Sequence, residues 1–259
     1  NQIMARADYA SVGGGWGNLV NQEADFAVIA GGSNNVVRAR NAVVAGGAGN
    51  QVNAPHAAVG GGQGNRANGD WSTVPGGFQS EAHGRYSLAA GYRSRAAGEG
   101  SFVWSDAGAG DGLTSTQPNE FAVRAVGGVR LVTGVDAQGQ PASGAFLAAG
   151  GGSWTMLSER AAKENEQAVD PAVILDRVAA LPIHSWNYKQ QDDAIRHIGP
   201  YAEDFHAAFG VGDRPDGITS VDAHGVALAA IQALRAENRV LQQRLQALEA
   251  RLDQQLARP

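Results

Sequence analysis

Ile29-Ala-Gly-Gly32-Ser-Asn-Asn35, Val44-Ala-Gly-Gly47-Ala-Gly-Asn50 and Val59-Gly-Gly-Gly62-Gln-Gly-Asn65 are three copies of one phrase: an apolar residue, a glycine three positions on, and an asparagine three beyond that. The same phrase, kept more loosely, brings Gly15, Gly77 and Gly91 into line with Gly32, Gly47 and Gly62, at intervals of 17, 15, 15, 15 and 14 residues. Val12, Ile29, Val44, Val59, Val74 and Leu88 fill the apolar position, and Asn18, Asn35, Asn50, Asn65, Ser80 and Ser94 the polar one. Six copies exclude accident. Each unit reads as a short strand, a glycine turn and a polar residue able to bond a backbone group, which is one coil of a parallel β-solenoid. One coil cannot bury its apolar row alone, so the coils must stack, with the Val and Ile row inside and Asn or Ser at the corners. Gly13-Gly14-Gly15 and Gly60-Gly61-Gly62 are therefore structural; a phosphate-cradling loop occurs once, and before a helix.

Composition supports this outward from the repeat. Glycine supplies 36 of 259 residues, 31 of them between Gly13 and Gly152. Glycine loses more backbone entropy on folding than any other residue, which argues against a helical or conventional globular N-terminal part. The net charge of −5 divides as +1 over residues 1–100, −2 over 101–152 and −4 over 153–259, so no region has the basic excess that binds nucleic acid or an anionic membrane. With no cysteine there is neither a disulfide framework nor a thiolate metal site. No apolar run approaches the ~20 residues that span a bilayer, and the sequence opens at Asn1 with no charged-then-apolar leader, so any targeting segment is expected upstream or removed.

From Ser101 to Thr133 the pattern changes to Phe102, Val103, Trp104, Phe121, Val123, Val126, Val129, Leu131 and Val132, which predicts several short strands. Residues 134–153, rich in Gly, Ala and Ser, read as a linker. Beyond Trp154 the composition becomes that of a small α+β domain. Asp170-Pro171 starts a helix with a cap and a proline at its first position, and Pro182 stops it after Leu181. Ile183–Lys189 alternates as a strand, Ile198 begins another apolar segment, and Ala202–Phe209 suits a short helix closed by Gly210. A last helix runs from near Asp222, with Ile231, Leu234, Asn238, Leu241, Leu245, Leu248 and Leu252 spaced alternately by three and four. That is an a/d seam, too narrow for a globular core and suited to self-association, with Arg244 and Glu249 placed to pair between chains. The expected division is a solenoid over 1–105, a β-rich connector and Gly-rich linker over 106–153, the α+β domain over 154–222 and the coiled coil over 223–259.

The chemistry-bearing residues are few. Lys163 and Lys189 are the only lysines among 20 basic residues. What lysine can do and arginine cannot is give up its proton, which makes Lys163 a candidate general base. Ser158 stands five residues before it, and a serine activated by a neutral lysine is a known nucleophile-and-base pair. The competing possibility is that Ser158 only caps a helix over Glu159–Gln167, with Lys163 on its solvated side. In such a helix, residues five apart would lie about 140° from each other around the axis, out of contact. His197 is a candidate to orient a dyad member, against the commoner role of a packed histidine. Glu164, Glu166, Asp192 and Asp193 show no spacing of paired catalytic carboxylates or of a metal cage, so neither a metal nor a cofactor is expected. Trp16 and Trp71 recur within the repeats as a possible external contact surface.

Two resemblances bear on these residues. Tyr9 to Trp104, on its repeat, resembles the YadA-like heads of trimeric autotransporter adhesins, which implies a left-handed β-roll built as a homotrimer; unlike those adhesins, this sequence ends in a charged helix and not in a membrane-barrel anchor. The segment 154–250 resembles the C-terminal intramolecular chaperone domain of endosialidases and phage tail spikes. The resemblance rests on Ser158-Glu-Arg-Ala-Ala-Lys163-Glu-Asn165, Trp186-Asn-Tyr188, Arg196-His197-Ile-Gly199-Pro-Tyr-Ala202-Glu-Asp204, and Val221-Asp-Ala-His-Gly225 with Ala230-Ile-Gln232-Ala-Leu234. It implies an auto-processing serine peptidase that drives trimerisation and then cuts itself off before its serine: Ser158 the nucleophile, Lys163 the base, Leu157–Ser158 the scissile bond. Three positions depart from that family's usual residues: Glu159 stands for Asp, Ala162 for Leu and Glu203 for Gln.

The expectation is thus a trimeric tail-fibre or adhesin-like protein, extracellular, on a cell surface or virion tail. Its partners would be its own copies and a cell-surface receptor or glycan. An asparagine at an a position favours two strands, whereas the head resemblance calls for three; three is adopted here. An uncleaved adhesin with a permanent C-terminal clamp is the alternative. A glycan-cleaving enzyme would need convergent carboxylates, which residues 1–150 do not offer.

Overall fold

The computed structural model describes residues 1–108 and 110–256 and forms two compact units, Asn1–Lys163 and Glu164–Pro259. In the first, each phrase makes two-residue strands that stack in parallel on their counterparts one coil away. Gln2–Ile3, Leu19–Val20, Val36–Val37, Gln51–Val52, Arg66–Ala67, Glu81–Ala82 and Arg95–Ala96 form one sheet in sequence order. Ser11–Val12, Val28–Ile29, Val43–Val44, Ala58–Val59, Thr73–Val74, Leu88–Tyr92, Phe102–Ser105 and Phe121–Arg124 form the second. The parallel β-solenoid expected from the repeat is the fold.

Because side chains alternate across a strand, every coil sends one residue of each pair inward. Ile29, Val44, Val59 and Val74 are fully buried, as the repeat implied. Leu88 is a correction: it is only half-buried, and the interior position belongs to Ala89. Thr73 pairs with Leu88 at an interval of 15, but Gly77 pairs with Gly91 at 14. One residue is missing from the segment between strand and corner, so alignment on the glycines shifts the strand by one and turns the wrong side chain inward. A second interior row, Val20, Val37, Val52, Ala67, Ala82 and Ala96, is equally buried and was not singled out in the sequence.

The corners are held by asparagine. Asn50 Nδ2 donates to Gly46 O at 2.9 Å and to Gly62 O of the next coil at 3.0 Å, while its Oδ1 accepts the Asn65 N–H at 2.9 Å. Asn18, Asn35 and Asn65 repeat this pattern, so these buried amides are satisfied. The corner is tight: at Gly47, with φ +85°, a Cβ would stand 2.1 Å from Gly62 O. Asn50→Ala leaves the buried Asn65 N–H without an acceptor and is expected to lower stability by about 1–3 kcal/mol, read as an earlier thermal transition than in Asn50→Ser.

The two outer faces differ in chemistry. On the first sheet Arg38 donates to Gln51 and Asn53, Asn53 to Asn68, and Asn68 meets His83; Glu81 binds both His83, at 2.8 Å, and Arg66, at 2.7 Å. Burial opposes ionisation of Glu81, and the bonds from His83 and Arg66 outweigh it, holding the carboxyl below its ordinary value. On the second sheet the outward row in register is Ser11, Val28, Val43, Ala58, Thr73, Leu88, Phe102 and Phe121, without one charge.

One turn carries a row of exposed rings. Tyr9, Phe26, Asn41, His56, Trp71 and Tyr86 occupy successive coils, all with φ between 54° and 60°. Tyr9 stacks on Phe26 at 5.0 Å, and His56, Trp71 and Tyr86 stack at 5.3 Å intervals, with the Arg85 guanidinium over the last two rings. Left-handed backbone costs a side-chain-bearing residue on the order of 1 kcal/mol, and stacking returns about 0.5–1.5 kcal/mol per pair.

Residues 134–153 require a second correction. Val129–Val135, Pro141–Leu147 and Trp154–Met156 form a three-stranded antiparallel sheet, so much of the supposed linker is strand. Its small residues serve a bulge around Gly134 and a close approach at Gly144, where a Cβ would lie 2.2 Å from Leu131 O.

In the second unit, α1 (Pro171–Ala180) begins as expected, the Asp170 carboxylate accepting the Ala172 N–H at 2.9 Å. Strands His184–Trp186 and His197–Gly199 pair antiparallel, the first shorter than the alternation implied. α2 (Ala202–Phe209) is closed by Gly210 at φ 65°. α3 (Ser220–Leu256) packs against α1 and buries Ala230 and Ala233. Its seam lies on another stripe and is bare: Ile231, Leu234, Leu241, Leu245, Leu248 and Leu252 are each at least half exposed. Among the described residues no helix is long and apolar enough to cross a membrane.

Candidate active site

Ser158 follows the last strand of the antiparallel sheet, where Met156 still pairs with Ala145. The next residues do not form the helix over Glu159–Gln167 that a capping serine would start. They make a single 3-10 turn, Arg160–Ala162, flanked by Glu159 and Lys163 in extended conformation, and no side chain caps it. That turn accounts for the contact which helical spacing forbids. It closes through Ala162 N–H to Glu159 O and Lys163 N–H to Arg160 O, and folds the backbone back after three residues. Lys163 therefore reaches Ser158: its Nζ donates to Ser158 Oγ at 2.7 Å and to the Ser158 carbonyl at 3.2 Å.

A nucleophile and its base need this heavy-atom separation. Protonated, the amine donates to the hydroxyl; neutral, it accepts the hydroxyl proton across the same distance. Both side chains are exposed in the single chain. Glu159 at the turn's start is exposed as well and makes no capping bond. Leu157 is half-buried, its N–H donating to Gly144 O at 3.1 Å.

His197 belongs to the second unit. Its Nε2 lies 2.9 Å from Gln191 Oε1, and its ring sits 4.9 Å from Trp186 and 5.7 Å from Tyr188. The histidine is thus packed in an aromatic cluster of the second unit, while Ser158 and Lys163 are in contact within the first. The cross-strand pair beside it is held by Arg196, which donates to Ser185 O at 2.8 Å. Among the described residues no group of three His, Asp or Glu converges to hold a metal. Gly144 was not singled out in the sequence, where it is one of many small residues in the supposed linker.

A search of curated proteins gave no match. The family model described as chaperone of endosialidase matches residues 158–211, opening on the serine itself and running through the turn, α1, both short strands and α2. After the β-solenoid in sequence, residues 158–211 are thus similar to the chaperone of endosialidase.

Proposed function

We propose that the chain is a homotrimeric tail-fibre or adhesin-like protein, working outside the cell on a cell surface or a virion, and that its chaperone domain aligns three copies and then severs itself at Leu157–Ser158. The observation that carries this is the 2.7 Å contact between Ser158 Oγ and Lys163 Nζ at the end of a strand. Ser158 Oγ adds to the Leu157 carbonyl carbon as its proton passes to neutral Lys163. The C–N bond breaks, the proton goes to the released Ser158 amine, and water then hydrolyses the Leu157 ester to a carboxylate, freeing the hydroxyl. A lysine in water keeps its proton, and apolar surroundings favour the neutral amine. Contact with further copies is what covers the exposed pair, so cutting follows assembly.

Self-association is supported twice: by the bare leucine seam of α3, and by the charge-free outer row of the second sheet, which can meet a like surface without placing like charges together. Three chains must also start in one register, because a solenoid of near-identical coils has little to correct a slip. The exposed aromatic row is the face we assign to a surface receptor or glycan. An uncleaved adhesin with a permanent clamp is favoured by the exposure of Lys163. One experiment separates the two. Light scattering of the full chain should give three times 26.7 kDa, and denaturing mass spectrometry of the same trimer should give fragments 1–157 and 158–259. A trimer of intact chains establishes the clamp; a monomer sinks both.

A further inference from the structure

Cleavage needs more than a nucleophile and a base, because the bond to be cut must be held still in front of them. The three-stranded sheet ends where that is required. Trp154–Met156 is its edge strand, with Leu147 opposite Trp154, Phe146 opposite Thr155 and Ala145 opposite Met156. The hydrogen bonding runs one residue further than the strand: Leu157 N–H donates to Gly144 O at 3.1 Å. Leu157 also lines a small cavity of about 200 Å³ with Arg130, Leu131, Val132, Pro141, Ala145 and Phe146. Only after Leu157 does the backbone leave the sheet and turn back to bring Lys163 to Ser158.

Gly144 makes this possible by its conformation. Its φ of +142° is open to glycine and strained for any other residue, and a side chain there would strike the Leu131 carbonyl at 2.2 Å. With glycine the central strand fits against Val129–Val135 on one side while its carbonyl accepts Leu157 on the other.

We propose that this sheet is the substrate clamp of the self-cleavage reaction: Leu157 is the specificity residue, recognised as an apolar side chain in the cavity it shares with Phe146, and Gly144 is a positioning residue that holds its backbone extended. The inference rests on the reading of Ser158 and Lys163 as the cleaving pair. It adds that recognition of the bond comes from the fibre side of the cut, so the segment that leaves carries the nucleophile and the base while the segment that stays carries the pocket. The strand pairing is complete before Ser158, so cutting there removes no rung from the sheet.

The test uses the full chain, with light scattering to verify assembly of each variant and denaturing mass spectrometry to follow the cut against time. Leu157→Met, which keeps an apolar side chain of similar volume, should cleave within about threefold of the unaltered rate. Leu157→Asp and Leu157→Gly should be slower by tenfold or more. Leu157→Phe should be slow alone and recover when Phe146→Ala makes room for the larger ring; a role confined to folding would give no such recovery. If assembled Leu157→Asp and Leu157→Gly cleave as fast as the unaltered chain, the clamp is wrong and the Ser158–Lys163 pair stands. If the unaltered trimer never cleaves, the pair is wrong and the clamp falls with it.

Discussion

Ser158→Ala is expected to leave the chain whole, because no oxygen remains to attack the Leu157 carbonyl, with the yield of the proposed fragments 1–157 and 158–259 falling by at least roughly a thousandfold. Lys163→Arg should do the same for a different reason: guanidinium retains the charge and the reach but cannot accept the hydroxyl proton. Both variants should still assemble, since neither residue belongs to the solenoid interior or to the α3 seam. The measurement is the ratio of intact to cut chain by denaturing mass spectrometry after equal times. Cleavage of Lys163→Arg at the normal rate would show that Lys163 is not the base, whatever the 2.7 Å contact suggests.

Val59→Asp should be the most damaging single change in the solenoid. Val59 is fully buried between Val44 and Val74, and the interior rows around it hold no cation to pair with a carboxylate. An unpaired charge placed there costs several kcal/mol even after the group neutralises. The effect should propagate, because each coil is stable only through the coils on either side. Gln63→Asp, at an exposed corner four residues away, is expected to change stability by less than about 0.5 kcal/mol. Thermal unfolding followed by circular dichroism compares the two directly; equal tolerance would mean that the Val59 row is not a core.

The solenoid was legible because its signal is repeated: any one Gly-Gly corner is ambiguous, but six at nearly constant spacing admit few other folds. What was lost was lost where the repeat changes its residues. The row Val20, Val37 and Val52 continues as Ala67, Ala82 and Ala96, and alanine, common everywhere, does not announce an interior position. Leu88 was misplaced because a coil one residue shorter keeps its corner glycine and moves its strand. In the second unit, α1 and α2 could be read closely, since Asp170, Pro171 and Gly210 are chemical stop and start signals for a helix. Residues 134–153 were misread because glycine marks bulges and close strand approaches as well as linkers. The contact between Ser158 and Lys163 lay beyond spacing arguments altogether. Five residues is a poor helical interval, and nothing in Glu159-Arg-Ala-Ala162 signals a single turn with extended flanks; the scarcity of lysine pointed to Lys163, but the pair was preferred to a capping serine only through the resemblance of the surrounding segments to a known family.

The asparagine ladder also determines how the solenoid would carry load. Its bonds join each coil to its immediate neighbours and to nothing else, so tension applied at one end falls on the outermost coil alone. That coil must give way before the next feels the pull. A 15-residue coil paid out at ~3.4 Å per residue lengthens the chain by roughly 50 Å, and each release exposes another corner, held by asparagine up to Asn65 and by serine at Ser80 and Ser94. Pulled from an end, such a solenoid should yield in small, nearly equal steps, shedding force coil by coil; sheared across its side, it must break many corners at once.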